Sequence, residues 1–260
     1  MTRYAYLIIS LFFLGCSGSS RLPNRGEWVQ LFNGKDLNDW IVKIHHHNTG
    51  VNFGNTFRVE DGMIKVRYDQ YQDFNDQFSH LYYKIPFSYF HLKLDYHFTG
   101  TQQKGAPSYT LLNSGVMFHS QDPHTILKEQ DWPISIEMQF LAGLGDGKPR
   151  PTGNMCSPGT EIVYQGKQYN GHCLNSTSKT FGKDEWVHAE LIVLGDSLIT
   201  HVINGDTVLK YSKPSIGGGV VNGYDTGIFK PGTALNSGFI ALQSEGHPVD
   251  FKNIQLKRLK

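Results

Sequence analysis

Apolar and polar residues alternate in short runs along most of this chain, with a period of two rather than 3.6. The clearest run is residues 90–98 (FHLKLDYHF). Phe90, Leu92, Leu94, Tyr96 and Phe98 fall on one face, and His91, Lys93, Asp95 and His97 on the other. That pattern marks a half-buried β-strand. Residues 134–140 (ISIEMQF) repeat it, with Ile134, Ile136, Met138 and Phe140 inward. Residues 186–194 and 197–204 are two further strands joined at Gly195-Asp196. Residues 57–59 and 63–66 flank Glu60-Asp61-Gly62 as a hairpin, and Asn204-Gly205-Asp206 turns into a strand over residues 207–211. Residues 238–243 and 249–259 close the pattern. One or two helical turns are expected near residues 125–130. Many strands with one polar face imply an all-β fold, a two-sheet antiparallel β-sandwich.

The N-terminus departs from this pattern. Behind Arg3 comes an apolar run, residues 4–14 (YAYLIISLFFL), too short to span a bilayer, which takes roughly 20 apolar residues. A charged start, a short apolar stretch and small residues after it describe a secretory signal. The boundary Phe13-Leu14-Gly15-Cys16 is similar to the bacterial lipobox, where the signal is cut before a diacylated Cys; Phe13 stands where Leu is usual. The expected organisation is a signal peptide over residues 1–15, a lipidated tether over 16–26 starting at Cys16, and one β-sandwich domain over 27–260. Acyl chains would hold the protein in the bacterial cell envelope and be its contact with a membrane. The alternative is an ordinary signal peptide with a spare Cys.

The chain has 3 Cys, so setting Cys16 aside leaves Cys156 and Cys173. An oxidising exterior favours a disulfide between them, stapling a segment rich in Gly, Asn, Ser and Pro. Two buried thiols, or a metal pair with His172, are the alternatives. A formal charge of +1 gives no electrostatic case for nucleic acid. Aromatic content of 13% with 28 Gly and 11 Pro suits short strands and many loops.

The opening residues 28–40 (WVQLFNGKDLNDW) are similar to the start of the 3-keto-disaccharide hydrolase domain. Further likenesses follow in order: Asn113-Ser114-Gly115-Val116, Ile136-Glu137-Met138-Gln139, Glu185-Trp186-Val187, Val202-Ile203-Asn204-Gly205, and residues 238–243 (GFIALQ) leading to 249–254 (VDFKNI). Together they cover nearly all of residues 28–259, and the ordered set is more specific than any one of them. Members resemble concanavalin A-like jelly rolls, in agreement with the strand pattern. Many members have His near the position of Glu245, where this chain reads Gln243-Ser244-Glu245-Gly246-His247.

The resemblance implies cleavage of 3-keto glycosides. A carbonyl beside C2 acidifies the C2 proton, so a base can remove it and expel the aglycone from C1; water then adds to the enone. Such a site needs a base, an acid for the leaving oxygen and a group that stabilises the enolate. Glu137 is the leading base or metal-ligand candidate, because it faces away from Ile136 and Met138, and Gln139 shares its face. His119, at the end of a strand over residues 115–119, has the side chain whose ordinary pKa best suits proton transfer near neutrality. Each also has a plain alternative: a solvated strand face for Glu137, a packed or surface ring for His119. Asn113, Gln139, Glu245 and His247 are candidate substrate contacts.

No cofactor is required by these residues, although a divalent metal is possible. In His45-His46-His47, adjacent residues on a strand would point to opposite faces, so only His45 and His47 would share an ion. Trp132 is a candidate sugar platform, whereas Trp40 and Trp186 are expected in the core. Two functions from different classes remain open: an enzyme acting on 3-keto glycosides, and a non-catalytic glycan-binding lipoprotein on the same fold; an ordinary two-carboxylate glycosidase is a third, weaker reading, because no second carboxylate has a claim comparable to that of Glu137. An enzyme should bring Glu137 and a second titratable group to one pocket; a lectin should show aromatic platforms with neutral polar groups.

Overall fold

The computed structural model describes residues 24–260. The expected signal peptide, the lipidated Cys16 and most of the tether therefore lie outside the described residues. In chain order the strands are β1 (Trp28–Gln30), β2 (Trp40–Ile44), β3 (Phe57–Glu60), β4 (Met63–Val66), β5 (Ser79–Tyr83), β6 (Tyr89–Phe98), β7 (Asn113–Ser120) and β8 (Ile136–Leu141). There follow β9 (Asn154–Cys156), β10 (Thr160–Tyr164), β11 (Lys167–Tyr169), β12 (Cys173–Leu174), β13 (Val187–Leu194), β14 (Ile199–Ile203), β15 (Asp206–Ile216), β16 (Phe239–Ser244) and β17 (Val249–Arg258).

These strands form the expected antiparallel sandwich. One sheet has the order β11-β10-β15-β14-β13-β6-β17-β4-β3, with β1 on β17 as well; the other has the order β12-β9-β8-β7-β16-β5-β2. The alternating residues of β6 point between the sheets, with Phe90, Leu92, Leu94, Tyr96 and Phe98 all buried. Val116 and Phe118 of β7, Ile136, Met138 and Phe140 of β8, and Ile240 and Leu242 of β16 meet them from the other side. Tyr96 stacks on Phe140 across the gap, with ring centroids 4.0 Å apart. Burial of this many large side chains, each contributing about 1.5–3 kcal/mol, is the main force holding the two layers together.

The other face of the seven-stranded sheet is not freely solvated. Met117, Tyr82 and Ala241 on it join Ile126 in a second apolar cluster. This explains why every residue of β7 is buried. Ile126 belongs to the stretch where a helix was expected. Only a 3-10 turn forms there, Pro123–Thr125, with the Asp122 side chain accepting from the His124 amide at 2.9 Å. Ile126 is extended and plugs the sheet, so packing overrides the local helical preference.

Cys156 and Cys173 form the expected disulfide and sit directly opposite one another on β9 and β12. Three expectations are corrected. The end of the tether is already paired, since the Gly26 amide donates to the Arg258 carbonyl at 2.9 Å. Trp186 is half-buried on an outer face, against His97 and under the Lys252 ammonium at 3.7 Å, while Trp40 is in the core. The three histidines do not alternate: the chain turns after β2, His46 has φ 68°, and its ring stacks on His45 with centroids 3.7 Å apart. His47 points elsewhere, to Gln77 at 2.8 Å.

Candidate active site

The polar side chains on the outer face of the seven-stranded sheet converge at β8, β7 and β16. Register sets the pattern: Glu137 of β8 pairs with Met117, and Gln139 with Gly115. Gly115 has no side chain, and a Cβ there would lie 2.6 Å from Glu137 Oε1. Its absence leaves room for the Glu137 carboxyl to lie over β7, toward Gln243 and Glu245 at the end of β16.

Glu137 and Glu245 are both buried. Glu245 Oε1 accepts from Trp132 Nε1 at 3.1 Å and from Gln243 Nε2 at 2.9 Å. Glu245 Oε2 and Glu137 Oε1 are buried without a partner. Burial disfavours charge on each group and holds the Glu245 carboxyl up to about 7, against the pull of the Trp132 hydrogen bond. The Glu137 carboxyl is pushed well above the usual carboxylate range, by burial first and then by the Glu245 charge. Two interacting carboxyls in a shared low-dielectric site titrate as a pair, the first proton leaving more easily than the second.

They line a cavity of about 600 Å3 together with Asn113, Gln139, Trp132 and Arg150, a size that suits a small-molecule site. Asn113 donates to the Tyr109 carbonyl at 3.2 Å, and its own Oδ1 is buried without a partner. Gln139 accepts from Asn154 at 3.0 Å. The Arg150 guanidinium is fixed by the carbonyls of Leu111, Leu112 and Ala142 at 2.8, 3.2 and 2.6 Å. Burial depresses its pKa. Carbonyls rather than a carboxylate hold it, so its charge is available to an anion forming in the cavity.

The walls come from loops. Trp132 packs on Phe78 with centroids 4.1 Å apart. Asn222 is tied to Asp131 by its backbone amide and its side-chain amide, both at 2.8 Å. The disulfide forms the opposite wall, because Cys156 pairs with Glu137 in register. A larger hollow of about 840 Å3 along residues 143–149 and 178–183 has only Lys148, Lys179 and Lys183 as ionisable side chains, and so neither a carboxyl nor an imidazole.

Of the residues singled out from sequence, Glu137, Gln139, Asn113 and Glu245 therefore meet in one cavity, and His119 and His247 do not. Opposite the irregular stretch of β7, Ser120 pairs with Phe239 but Met117 with Ala241, which leaves an extra residue on β7. His119 lies in that bulge at φ 45° and directs Nε2 to the carbonyl of Gly195, 3.0 Å away in the turn that joins β13 to β14. It borders a separate hollow of about 230 Å3. His247 is buried against Phe98, and burial drives its pKa down to about 4. Arg150 and the role of Trp132 as a donor to Glu245 had no sequence signal, because each depends on a loop folding back over the sheet.

Among the described residues, two side-chain groups have three close metal-ligating atoms: Cys156, His172 and Cys173, and His45, His46 and Glu129. The first is used up by the disulfide, and the second lies outside the cavity. Glu137 and Glu245 are suited to moving a proton.

Two solved structures of proposed glycosyl hydrolases from Parabacteroides distasonis ATCC 8503 share the fold. Each is 20% identical and covers 90% of this chain; the chain covers 100% of one at a TM-score of 0.53, and 94% of the other at 0.54. No curated protein is similar enough to this chain to count as a match. Residues 27–257 match the model of the 3-keto-alpha-glucoside-1,2-lyase-like domain, and the chain belongs to that family.

Proposed function

We propose that this protein cleaves the glycosidic bonds of 3-keto sugars, 3-keto glycosides or disaccharides, by β-elimination followed by hydration. The observation that carries this is the pairing of Glu137 with Glu245, two buried carboxyls in one cavity whose environments separate their roles. Glu245 has two donors on Oε1, which favour its charged form, so it is the base. Glu137 Oε1 is buried without a donor, and burial with the Glu245 charge beside it favours its neutral form, so it holds the proton and is the acid.

In the elimination, Glu245 takes the proton from C2. The C2–H electron pair becomes the C1=C2 double bond through the enolate of the C3 ketone, and the C1–O bond breaks. The leaving oxygen takes the proton of Glu137, giving the free alcohol and an enone. The roles then reverse: water adds its hydroxyl at C1 and a proton returns to C2, restoring both carboxyls. Arg150 and the Asn113 amide are the groups on the wall that can bear the enolate charge. Trp132 offers an apolar face to a sugar ring. A lectin would need no pair of buried acids, so the enzyme is favoured over the glycan-binding alternative.

The protein is further proposed to act in the bacterial cell envelope, exported behind residues 1–15 and anchored by acyl chains on Cys16. The activity is tested by incubating the protein with a 3-keto disaccharide and with its unoxidised parent, and reading products by mass. Cleavage of the keto form alone is expected. Binding of the keto sugar without turnover would move the protein to the glycan-binding class.

A further inference from the structure

We propose that His45, His46 and Glu129 form a surface site for a divalent transition-metal ion of borderline softness, such as Zn2+, which fastens the Trp132 wall of the cavity. The three ligand atoms, one per side chain, lie within 4.8 Å of one another. Nitrogen and carboxylate ligands around zinc sit about 2.0–2.2 Å from the ion. Closing the set onto an ion therefore takes side-chain rotation alone: the His46 ring swings off His45 and exchanges its hydrogen bond with Glu129, which is 63% exposed, for the ion.

Two features set this cluster apart from a chance meeting of surface groups. First, His46 has a φ of 68°, a left-handed conformation that a non-glycine residue adopts at a cost of roughly 1–3 kcal/mol. That conformation turns its ring onto His45 and brings its Nδ1 to 2.7 Å from Glu129 Oε2. Second, His45 Nδ1 lies 2.8 Å from the Asp76 carbonyl, which can only accept. Neutral His45 must therefore donate there and carries its lone pair on Nε2. A ligating histidine is typically oriented in this way, by a carbonyl on its other nitrogen. Lys43 lies beneath the turn with its ammonium on the Ile44 and His47 carbonyls at 3.1 and 3.0 Å, so the ion would sit on the outer side.

The site bridges two distant parts of the chain. The turn after β2 meets residues 128–132, and the His46 amide already donates to the Lys128 carbonyl at 2.9 Å. Three residues beyond Glu129, Trp132 donates to Glu245. An ion at Glu129 would thus hold the segment that carries a donor to the cavity carboxyl.

The test is calorimetric titration of Zn2+ into the untagged full chain in detergent, without reductant, alongside melting curves. One equivalent of zinc should bind and raise the melting temperature, with Ca2+ giving neither effect. His46→Ala and Glu129→Gln should each weaken binding roughly tenfold or more, and His47→Ala should leave it unchanged. Absence of saturable binding, binding that survives His46→Ala and Glu129→Gln, or binding lost instead on His172→Ala would each overturn the site. None of these readouts depends on turnover, so they stand apart from the proposed activity.

Discussion

Glu137 lies across Gly115, so that a methyl group at position 115 would come within 2.6 Å of its Oε1. Gly115 has no positive φ, and an extended backbone accepts alanine without strain. The Glu137 carboxyl can swing aside, but the methyl would also lie 3.0 Å from the Met138 carbonyl oxygen, which can give only slightly. Gly115→Ala should therefore fold with a lowered melting temperature while losing at least about tenfold in turnover, since small misplacement of a reacting group is costly. Full activity in Gly115→Ala would show that the carboxyl does not need to lie over β7.

Glu137→Gln and Glu245→Gln each keep the shape and remove one ionisable group. Each should lower kcat on a 3-keto disaccharide by roughly a hundredfold or more, the scale of a positioned acid or base. In heavy water the product keto sugar should carry deuterium at C2, beyond a control without enzyme. Wild-type turnover in either Gln variant would remove the pair from the mechanism.

The same pair sets a pH dependence of stability. Folded Glu245 keeps its proton up to about 7, above the ordinary value of 4.5. Between those values the folded state binds more protons than the unfolded one, so this contribution is full below the lower value and is lost as pH rises through the upper one. Glu245→Gln should relieve the loss, by on the order of 3 kcal/mol above pH 8 and very little at pH 4. Denaturant melts at the two pH values measure the difference; an equal effect at both would contradict the raised pKa.

Peptide mapping without reductant should recover Cys156 and Cys173 as one linked pair. Cys156 is opposite Glu137 in register, so its loss reaches the cavity as well as the fold. Cys173→Ser should cost about 3 kcal/mol in the chain-entropy picture and should raise KM more than it lowers kcat, because the wall loosens while the carboxyl pair stays in the sheet.

Cys16→Ser should release the protein from membranes or block its maturation. Detergent-requiring membrane association that is unchanged in this variant would refute the anchor.

The strands of strictest alternation were legible in the sequence, β6 and β8 above all, because one face of each meets the core and the other does not. β5 was not, since all of Ser79–Tyr83 is buried and no period of two survives. Glu137 could be placed on the correct face from its neighbours in β8. Its partnership with Glu245 could not be seen, because it depends on β16 lying next to β7, a pairing between segments more than a hundred residues apart. His119 was misleading for a local reason: an extra residue in a strand reverses which side the next ring faces, and nothing in its composition signals the bulge.

The two last strands occupy interior positions, β16 between β5 and β7, and β17 beside β6 with β4 and β1 on its other edge. Neither sheet can close until Phe239–Ser244 and Val249–Arg258 have left the ribosome. A chain still being synthesised thus has no complete layer to fold into, and its long-range pairings form slowly afterwards. That delay would suit the export proposed above, in which a chain crosses a membrane before it folds, and it makes a short C-terminal truncation more damaging than its length suggests.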